Sequence, residues 1–239
     1  MAIATEHHHH HRDINGGTAR AAIFGVSDGL LSNVSLILGV AGADPAPSVV
    51  RLAGLAGLVA GAFSMAVGEY LSVSAQVELA ERELRIERNE LRVRPAKELA
   101  ELVALYESRG VRAEVAQEVA TALMADPDQA LEIHAREELG VDPQNLGSPV
   151  RAAAASFGAF VIGAFVPLIP WLAVHRTTGA AVLASCVLAV IGATTVGVIL
   201  ARFTGGKPWK TAARQVGLAA ISAAIAYGIG SIVGVTGAV

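Results

Sequence analysis

Three residues in the first two apolar segments have side chains that could bind a metal ion or a proton within a membrane: Asp28, Met65 and Glu69. Asp28 lies in the apolar run 19–43, and an ionised Asp near the centre of a spanning helix costs roughly 2.5–3.5 kcal/mol. Such a residue is therefore either a functional group or a structural Asp that is hydrogen-bonded to a neighbouring helix. Met65 and Glu69 are four positions apart, which places the thioether and the carboxylate on one helix face.

Met65 by itself is typical of a flexible residue that fills a gap in a core. Next to Glu69, and with Asp28 available from another helix, it becomes a candidate soft ligand. A thioether favours a borderline metal over Ca²⁺ or Mg²⁺, which prefer oxygen atoms. The three residues together form a candidate membrane site for a transition-metal ion.

A second set of candidate ligands lies in an acidic stretch, where thirteen glutamates fall between positions 78 and 138. Two consecutive predicted helices each carry Glu-x-x-Glu, and a predicted later helix carries a His and a Glu four residues apart. Convergent carboxylates repel one another unless cations or protons neutralise them. The alternative for each of these residues is a solvated helix face. The candidates are Glu87, Glu90, Glu98, Glu101, His134 and Glu138.

The elements that must position these residues are membrane helices. With 53% hydrophobic residues, 16% charged residues and a mean hydropathy of +0.53, the composition excludes an ordinary soluble globule. A bilayer core of about 30 Å needs about 20 helical residues, and five apolar runs are long enough. They cover about 19–43, 49–75, 152–174, 180–203 and 212–235.

Prolines and capping residues mark where helices end and begin. Helix-forming residues continue beyond the second apolar run until Pro95, which predicts one long helix. Asp126 before Pro127 predicts an N-cap with proline in the first turn. Pro167 and Pro170 should kink the third span or end it early.

These boundaries predict four regions: a polar tail at 1–18, two spans at 19–75, a Glu-rich helical metal-binding domain at 76–149, and three spans at 150–239. The histidine run His7–His11 in the tail could bind metal, or it could be a purification tag or a passive tail. The fold class is therefore an all-α membrane protein with a helical domain inserted between the second and third spans.

Charge asymmetry predicts the orientation. With the N-terminus inside, 16 of the 18 Lys and Arg residues fall on the cytoplasmic side, together with the Glu-rich domain. No cleavable signal peptide is apparent, and the expected location is a bacterial inner membrane. The single cysteine, Cys186, lies in an apolar run and allows no intramolecular disulfide.

The residues that carry these features resemble the vacuolar iron transporter family, which includes plant nodulin-like proteins. The resemblance lies in GVSDGLLSNVSLILGVAGA, in AGAFSMAVGEYLSVSAQVE and in the acidic insert that ends in HAREELGVDP. It implies a dimer of five-span chains with a cytoplasmic metal-binding domain. It also implies export of Fe²⁺, and often Mn²⁺, in exchange for protons.

The resemblance also implies roles for individual residues. The family's membrane metal and proton site falls on Asp28, Met65 and Glu69, and its cytoplasmic metal-binding glutamates fall on Glu87, Glu90, Glu98, Glu101 and Glu138. This chain has His134 where iron-handling members can have Met, and an acidic ligand after Glu138 is missing. Imidazole still suits Fe²⁺, Mn²⁺ or Zn²⁺.

The predicted function is thus a proton-coupled exporter of divalent metal, and the alternative is a membrane protein that senses or buffers metal without transporting it. The predicted partners are divalent metal ions, protons, the lipid bilayer and a second copy of the chain; no nucleic acid and no cofactor are expected. The chain has no GxxxxGK[ST] sequence for ATP. The spans lack a convincing nucleophile and base, and His175 lies at a membrane edge, so no enzyme is predicted.

Overall fold

The structure, a computed structural model, describes residues 17–174 and 179–236, and the described residues contain helices, turns and connecting segments but no strand. The histidine run His7–His11 and His175 lie outside these ranges. The helices are α1 (Gly17–Gly42), α2 (Pro47–Val93), α3 (Pro95–Ser108), α4 (Ala113–Leu123), α5 (Pro127–Glu137), α6 (Pro149–Phe165), α7 (Ile169–Ala173), α8 (Gly179–Thr204) and α9 (Pro208–Thr236), with a 3₁₀ turn at Val166–Leu168.

Five helical segments are long and apolar enough to cross a membrane, as the sequence predicts. They are Thr18–Gly42, Pro47–Val93, Pro149–Ala173, Gly179–Thr204 and Pro208–Gly234. The chain is therefore a multi-pass, all-α membrane protein. At 47 residues, α2 is much longer than the roughly 20 residues that a bilayer requires.

The chain divides into two compact units, which are described separately. One comprises the described parts of residues 1–70 and 150–239, and we call it the membrane unit; the other, Leu71–Pro149, we call the acidic unit. Helix α2 contributes residues to both.

In the membrane unit, α1 lies against α6 at glycines. A Cβ at Gly29 would collide with the carbonyl oxygen of Phe160, and one at Gly163 would collide with that of Val26. At Gly25 it would lie 2.8 Å from the Ser156 carbonyl oxygen. Small residues allow this close approach of two membrane helices. The position of α1 is therefore fixed by backbone contacts.

The third span is interrupted where its prolines predict. Pro167 lies in the 3₁₀ turn that separates α6 from α7. Its carbonyl oxygen accepts a hydrogen bond from Ser185 Oγ at 2.8 Å, and Ser185 Oγ accepts one from Trp171 Nε1 at 2.9 Å. All three residues are buried, so a helix break within the span keeps its polar groups paired.

In the acidic unit, the predicted helix boundaries are confirmed. α2 ends at Val93 and α3 begins at Pro95. The carboxylate of Asp126 accepts hydrogen bonds from the backbone N–H groups of Asp128 and Gln129 and so caps α5. A small core forms from Leu84, Leu131 and Ala135, with Leu91 and Leu146 packed against it. This core holds α5 against the part of α2 that belongs to the acidic unit.

Candidate metal sites in the membrane unit and in the acidic unit

A cavity of about 350 Å³ in the membrane unit brings Asp28 and Met65 together. Asp28 is exposed, and Met65 is half-buried. The remaining lining residues are Ser32, Asn33, Leu36, Gly57, Gly61, Ser64 and Phe160. The predicted pairing of a carboxylate on α1 with a thioether on α2 is thus present at one cavity.

Glycines on α2 allow other residues of the cavity lining to pack close to the backbone of this helix. A Cβ at Gly61 would collide with the ring of Phe160, and a Cβ at Gly57 would meet Leu36 and Asn33. The Gly57-xxx-Gly61 pair therefore permits close packing, as expected of small residues on a membrane helix. Among the described residues, no side chain donates a hydrogen bond to the Asp28 carboxylate; Ser32 Oγ donates to the backbone carbonyl of Asp28 at 2.6 Å.

Glu69 lies one helical turn from Met65 and is not among the residues that line the cavity. Its Oε1 accepts a hydrogen bond from Arg20 Nη2 at 2.9 Å, and its side chain is only 12% exposed. A guanidinium and a carboxylate at this distance form a charge-assisted hydrogen bond. The structure thus gives Glu69 a cationic partner from α1 that sequence reasoning did not identify.

The acidic unit contains a buried group of three potential metal ligands, Glu87 of α2, Glu98 of α3 and His134 of α5. One ligand atom from each lies within 4.8 Å of the other two. Oε1 of Glu87 and both side-chain oxygens of Glu98 are buried without a hydrogen-bond partner among the described residues. Buried oxygens without donors are costly unless a proton or a cation satisfies them. We call this group the buried triad.

The tautomer of His134 can leave one ring nitrogen available to a metal. Nδ1 lies 3.0 Å from the backbone carbonyl oxygen of Ala130, which accepts a hydrogen bond when Nδ1 carries the proton. Nε2, which lies 3.3 Å from the backbone carbonyl oxygen of Glu98, then holds a lone pair. Metal-binding histidines commonly donate their other N–H to a carbonyl in this way.

Burial and charge act on the carboxyl group of Glu98. Burial raises the pKa of Glu98 above its ordinary value, the negative charge of Glu101 raises it further, and Lys97 partly opposes them. Lys97 Nζ lies 3.7 Å from Glu98 Oε1 but 2.7 Å from Glu101 Oε1. The hydrogen bond from Lys97 lowers the pKa of Glu101. In the absence of metal, Glu98 therefore retains a proton to higher pH than an exposed glutamate would.

The other predicted ligands surround the buried triad without joining it. Glu90 is half-buried and close enough to Glu98 to act on it electrostatically, while Glu101 is exposed and bonded to Lys97. Glu138 Oε1 lies 4.0 Å from His134 Nε2. Of the two predicted Glu-x-x-Glu pairs, the structure buries the first glutamate of each. Two carboxylates and an imidazole suit Fe²⁺, Mn²⁺ or Zn²⁺ better than Ca²⁺.

Comparison with known proteins places most of the chain in one family. Residues 19–231 match the sequence profile of the VIT family. The chain belongs to the VIT family.

This VIT family chain is similar to several proteins named as vacuolar iron transporters. It is 33% identical to "Vacuolar iron transporter 1" of Arabidopsis thaliana over 221 residues, which cover 91% of this chain and 87% of the relative. It is 34% identical to the protein of that name from Eucalyptus grandis over 221 residues, with coverage of 91% and 87%. The "Vacuolar iron transporter" of Acanthamoeba castellanii is 36% identical over 222 residues, with coverage of 90% and 78%.

The names of these VIT family relatives agree with the prediction of a transporter rather than an enzyme. Two polar residues near the membrane site were not singled out from the sequence, Arg20 and Asn33. Arg20 begins the first span opposite a carboxylate of the second, and Asn33 is an amide within a span. Polar residues in spans are rare enough that both could have been identified as candidates.

Proposed function

We propose that this chain exports divalent metal, Fe²⁺ or Mn²⁺, from the cytoplasm in exchange for protons. The observation that carries the proposal is the placement of a carboxylate and a thioether, Asp28 and Met65, on one cavity between apolar helices. Relatives named as vacuolar iron transporters support iron as a cargo. A mixed oxygen and sulfur ligand set favours such borderline metals over Ca²⁺.

In this mechanism, Asp28 and Met65 replace part of the hydration shell of the metal ion. Protonation of the Asp28 carboxylate neutralises the site and releases the metal, so the proton gradient drives export. Glu69, which is paired with Arg20, would be a second group that exchanges protons. A second copy of the chain around a two-fold axis would double the ligand set.

We assign the buried triad to the collection of metal from the cytoplasm, with Glu90, Glu101 and Glu138 adding negative charge around it. The supporting observation is that three carboxylate oxygens there are buried without donors. A divalent cation would satisfy all three and remove the repulsion between Glu87 and Glu98. This assignment requires the acidic unit to face the cytoplasm, as the distribution of Lys and Arg favours.

The test is metal flux into proteoliposomes that contain the purified chain, with Fe²⁺, Mn²⁺, Zn²⁺ and Ca²⁺ compared with and without an imposed pH gradient. We expect uptake of Fe²⁺ or Mn²⁺ that increases with the gradient, and little uptake of Ca²⁺. The matched control is the Asp28→Ala variant, which should remain folded and inactive. Equal flux through that variant would disprove the membrane site.

A second candidate function is the sensing or buffering of metal without transport, and the buried triad is the observation that favours it. It predicts tight metal binding by the full chain and no flux for any of the four ions. Flux that disappears in the Asp28→Ala variant while binding at the triad persists would exclude this alternative.

A further inference from the structure

Asn33 presents an amide oxygen at the membrane cavity. The residue lies on α1 five positions after Asp28, is 2% exposed and lines the same cavity. Its Nδ2 donates a hydrogen bond to the backbone carbonyl oxygen of Ala164 at 2.6 Å. A carbonyl oxygen can only accept, so this bond fixes the orientation of the amide and identifies the other terminal atom as Oδ1.

Oδ1 of Asn33 is buried and has no hydrogen-bond partner among the described residues. A buried acceptor left without a donor costs about 1–3 kcal/mol, so such an atom requires an explanation. A Cβ built at Gly57 would lie 3.1 Å from this oxygen. Gly57 lines the cavity too, so the oxygen lies beside a residue of the cavity lining that has no side chain of its own.

We propose that Asn33 Oδ1 is an uncharged oxygen ligand for the divalent metal ion in the Asp28 cavity. The proposal rests on the proposed function, in that it takes this cavity to be where metal binds. An amide oxygen is a good ligand for borderline and hard cations, and it adds no negative charge. The Met65 thioether is also neutral, so Asp28 is the one charged group among the described residues that line the cavity. One protonation in each chain would then remove the charge that holds the metal.

The decisive experiment compares Asn33→Asp with Asn33→Leu. Both replacements are close to Asn in size, and both lose the amide donor that bonds to Ala164. Asp in addition places a carboxylate oxygen against the Ala164 carbonyl oxygen, so it damages the contact with α6 at least as much as Leu does. Only Asp retains an oxygen at the cavity. We would measure Mn²⁺ binding to the purified full chain by titration calorimetry, in a Glu98→Gln/His134→Ala background that disables the buried triad.

We expect Asn33→Leu to weaken Mn²⁺ binding about tenfold, the lower end of the loss seen when a metal site is altered. Asn33→Asp should bind at least as tightly as the parent chain. Equal weakening in both variants would show that Asn33 acts only through its hydrogen bond to Ala164, and the proposal would then be wrong.

A pair of glycine variants tests the same oxygen if the Asn33 variants fail to fold. Gly57→Ala places a methyl group against the Leu36 side chain and 3.1 Å from Asn33 Oδ1, and it leaves the bond to Ala164 in place. Gly54→Ala makes the same change one turn earlier, where the methyl group meets only side-chain atoms of Leu168 and Ile37. Weaker Mn²⁺ binding in Gly57→Ala alone supports the proposal, and equal binding in the two variants overturns it.

Proteoliposome flux separates this proposal from the proposed function. If Asp28→Ala abolishes flux while the two Asn33 variants bind alike, the transport function stands and the ligand role of Asn33 falls. If the parent chain shows no flux but the Asn33 variants differ in binding, the ligand role stands and transport falls. Absence of Mn²⁺ binding in the triad-disabled chain would overturn the ligand role of Asn33, while the flux of Fe²⁺ and Mn²⁺ would still decide the transport function.

Discussion

The two candidate metal sites differ most in how much charge they concentrate. In the buried triad, two glutamates and a histidine lie within 4.8 Å of one another, with further acidic residues around them. In the membrane cavity, one carboxylate faces a thioether, hydroxyl groups and an amide oxygen. The attraction for a divalent ion increases with the number of negative ligands. The triad is thus suited to holding a metal, and the cavity to releasing one.

Under the proposed function, this difference means that one chain collects metal ions at one site and transports them through another. A site that holds an ion tightly releases it slowly, since variation in affinity is mostly variation in the dissociation rate. A transport site gains from a single titratable charge because one proton can then switch it. Each of the following variants alters either the buried triad or the Asp28 cavity.

Removal of the Asp28 charge should have the largest effect. Asp28→Asn preserves size and polarity but removes the only carboxylate among the described residues that line the cavity. We therefore expect metal flux to fall by more than about 100-fold, equivalent to about 2.8 kcal/mol. Mn²⁺ binding at the buried triad should be unchanged. The matched control is Asp44→Asn, an exposed position between α1 and α2 at which flux should be retained. A similar loss in both variants would contradict the assignment.

Neutralising the buried triad should weaken capture without abolishing passage. In the Glu87→Gln/Glu98→Gln chain, we expect Mn²⁺ affinity at the triad to fall about 10–100-fold because both carboxylates are lost. Flux should then fall at low metal concentration and recover at high concentration, so KM rises while kcat stays near that of the parent. The control is Glu107→Gln, an exposed glutamate of α3. A fall in kcat with unchanged KM would assign the triad to the transport step itself.

Proton competition at Glu98 should produce a smaller, graded effect. Because the pKa of Glu98 is raised, a metal ion must displace a proton from it. The Mn²⁺ affinity of the triad should therefore increase with pH above the ordinary glutamate pKa of about 4.3. It should level off above the raised pKa of Glu98. The folded chain binds this proton more tightly than the unfolded chain, so metal-free stability should decrease over the same pH range. Thermal unfolding in detergent with and without Mn²⁺ measures both trends.

Glu98→Gln provides the control for that pH dependence. Glutamine resembles the protonated acid, so the metal-free variant should be at least as stable as the parent at neutral pH and should lose the change in stability between acid and neutral pH. An unaltered pH profile would mean that another group controls the titration.

Much of the fold could be predicted because it depends on local chemistry. Five apolar runs gave five candidate spans, Pro95 marked the boundary after α2, and Asp126 marked the start of α5. Pro167 marked the interruption of the third span. Each of these features depends on residues that are close in sequence, and backbone geometry then leaves few alternatives.

Which side chains come together at each site was less predictable, because this depends on how each helix is rotated about its axis when the helices pack. Spacing of three residues places Glu98 and Glu101 on one side of α3, yet packing buries Glu98 with Leu102 and leaves Glu101 in solvent. Likewise, the Arg20–Glu69 pair joins residues 49 positions apart. The orientation of the Asn33 amide depends on a carbonyl group in α6, far away in sequence.

The glycine contacts between α1 and α6 have a consequence for motion. Where backbone meets backbone at Gly25, Gly29 and Gly163, no side chain can change rotamer to absorb a shift. Packed cores of this kind switch between discrete arrangements rather than deform gradually. Asp28 and Asn33 therefore belong to a stiff two-helix body, and any opening of the cavity toward one side of the membrane or the other is expected to come from α2, which carries Met65.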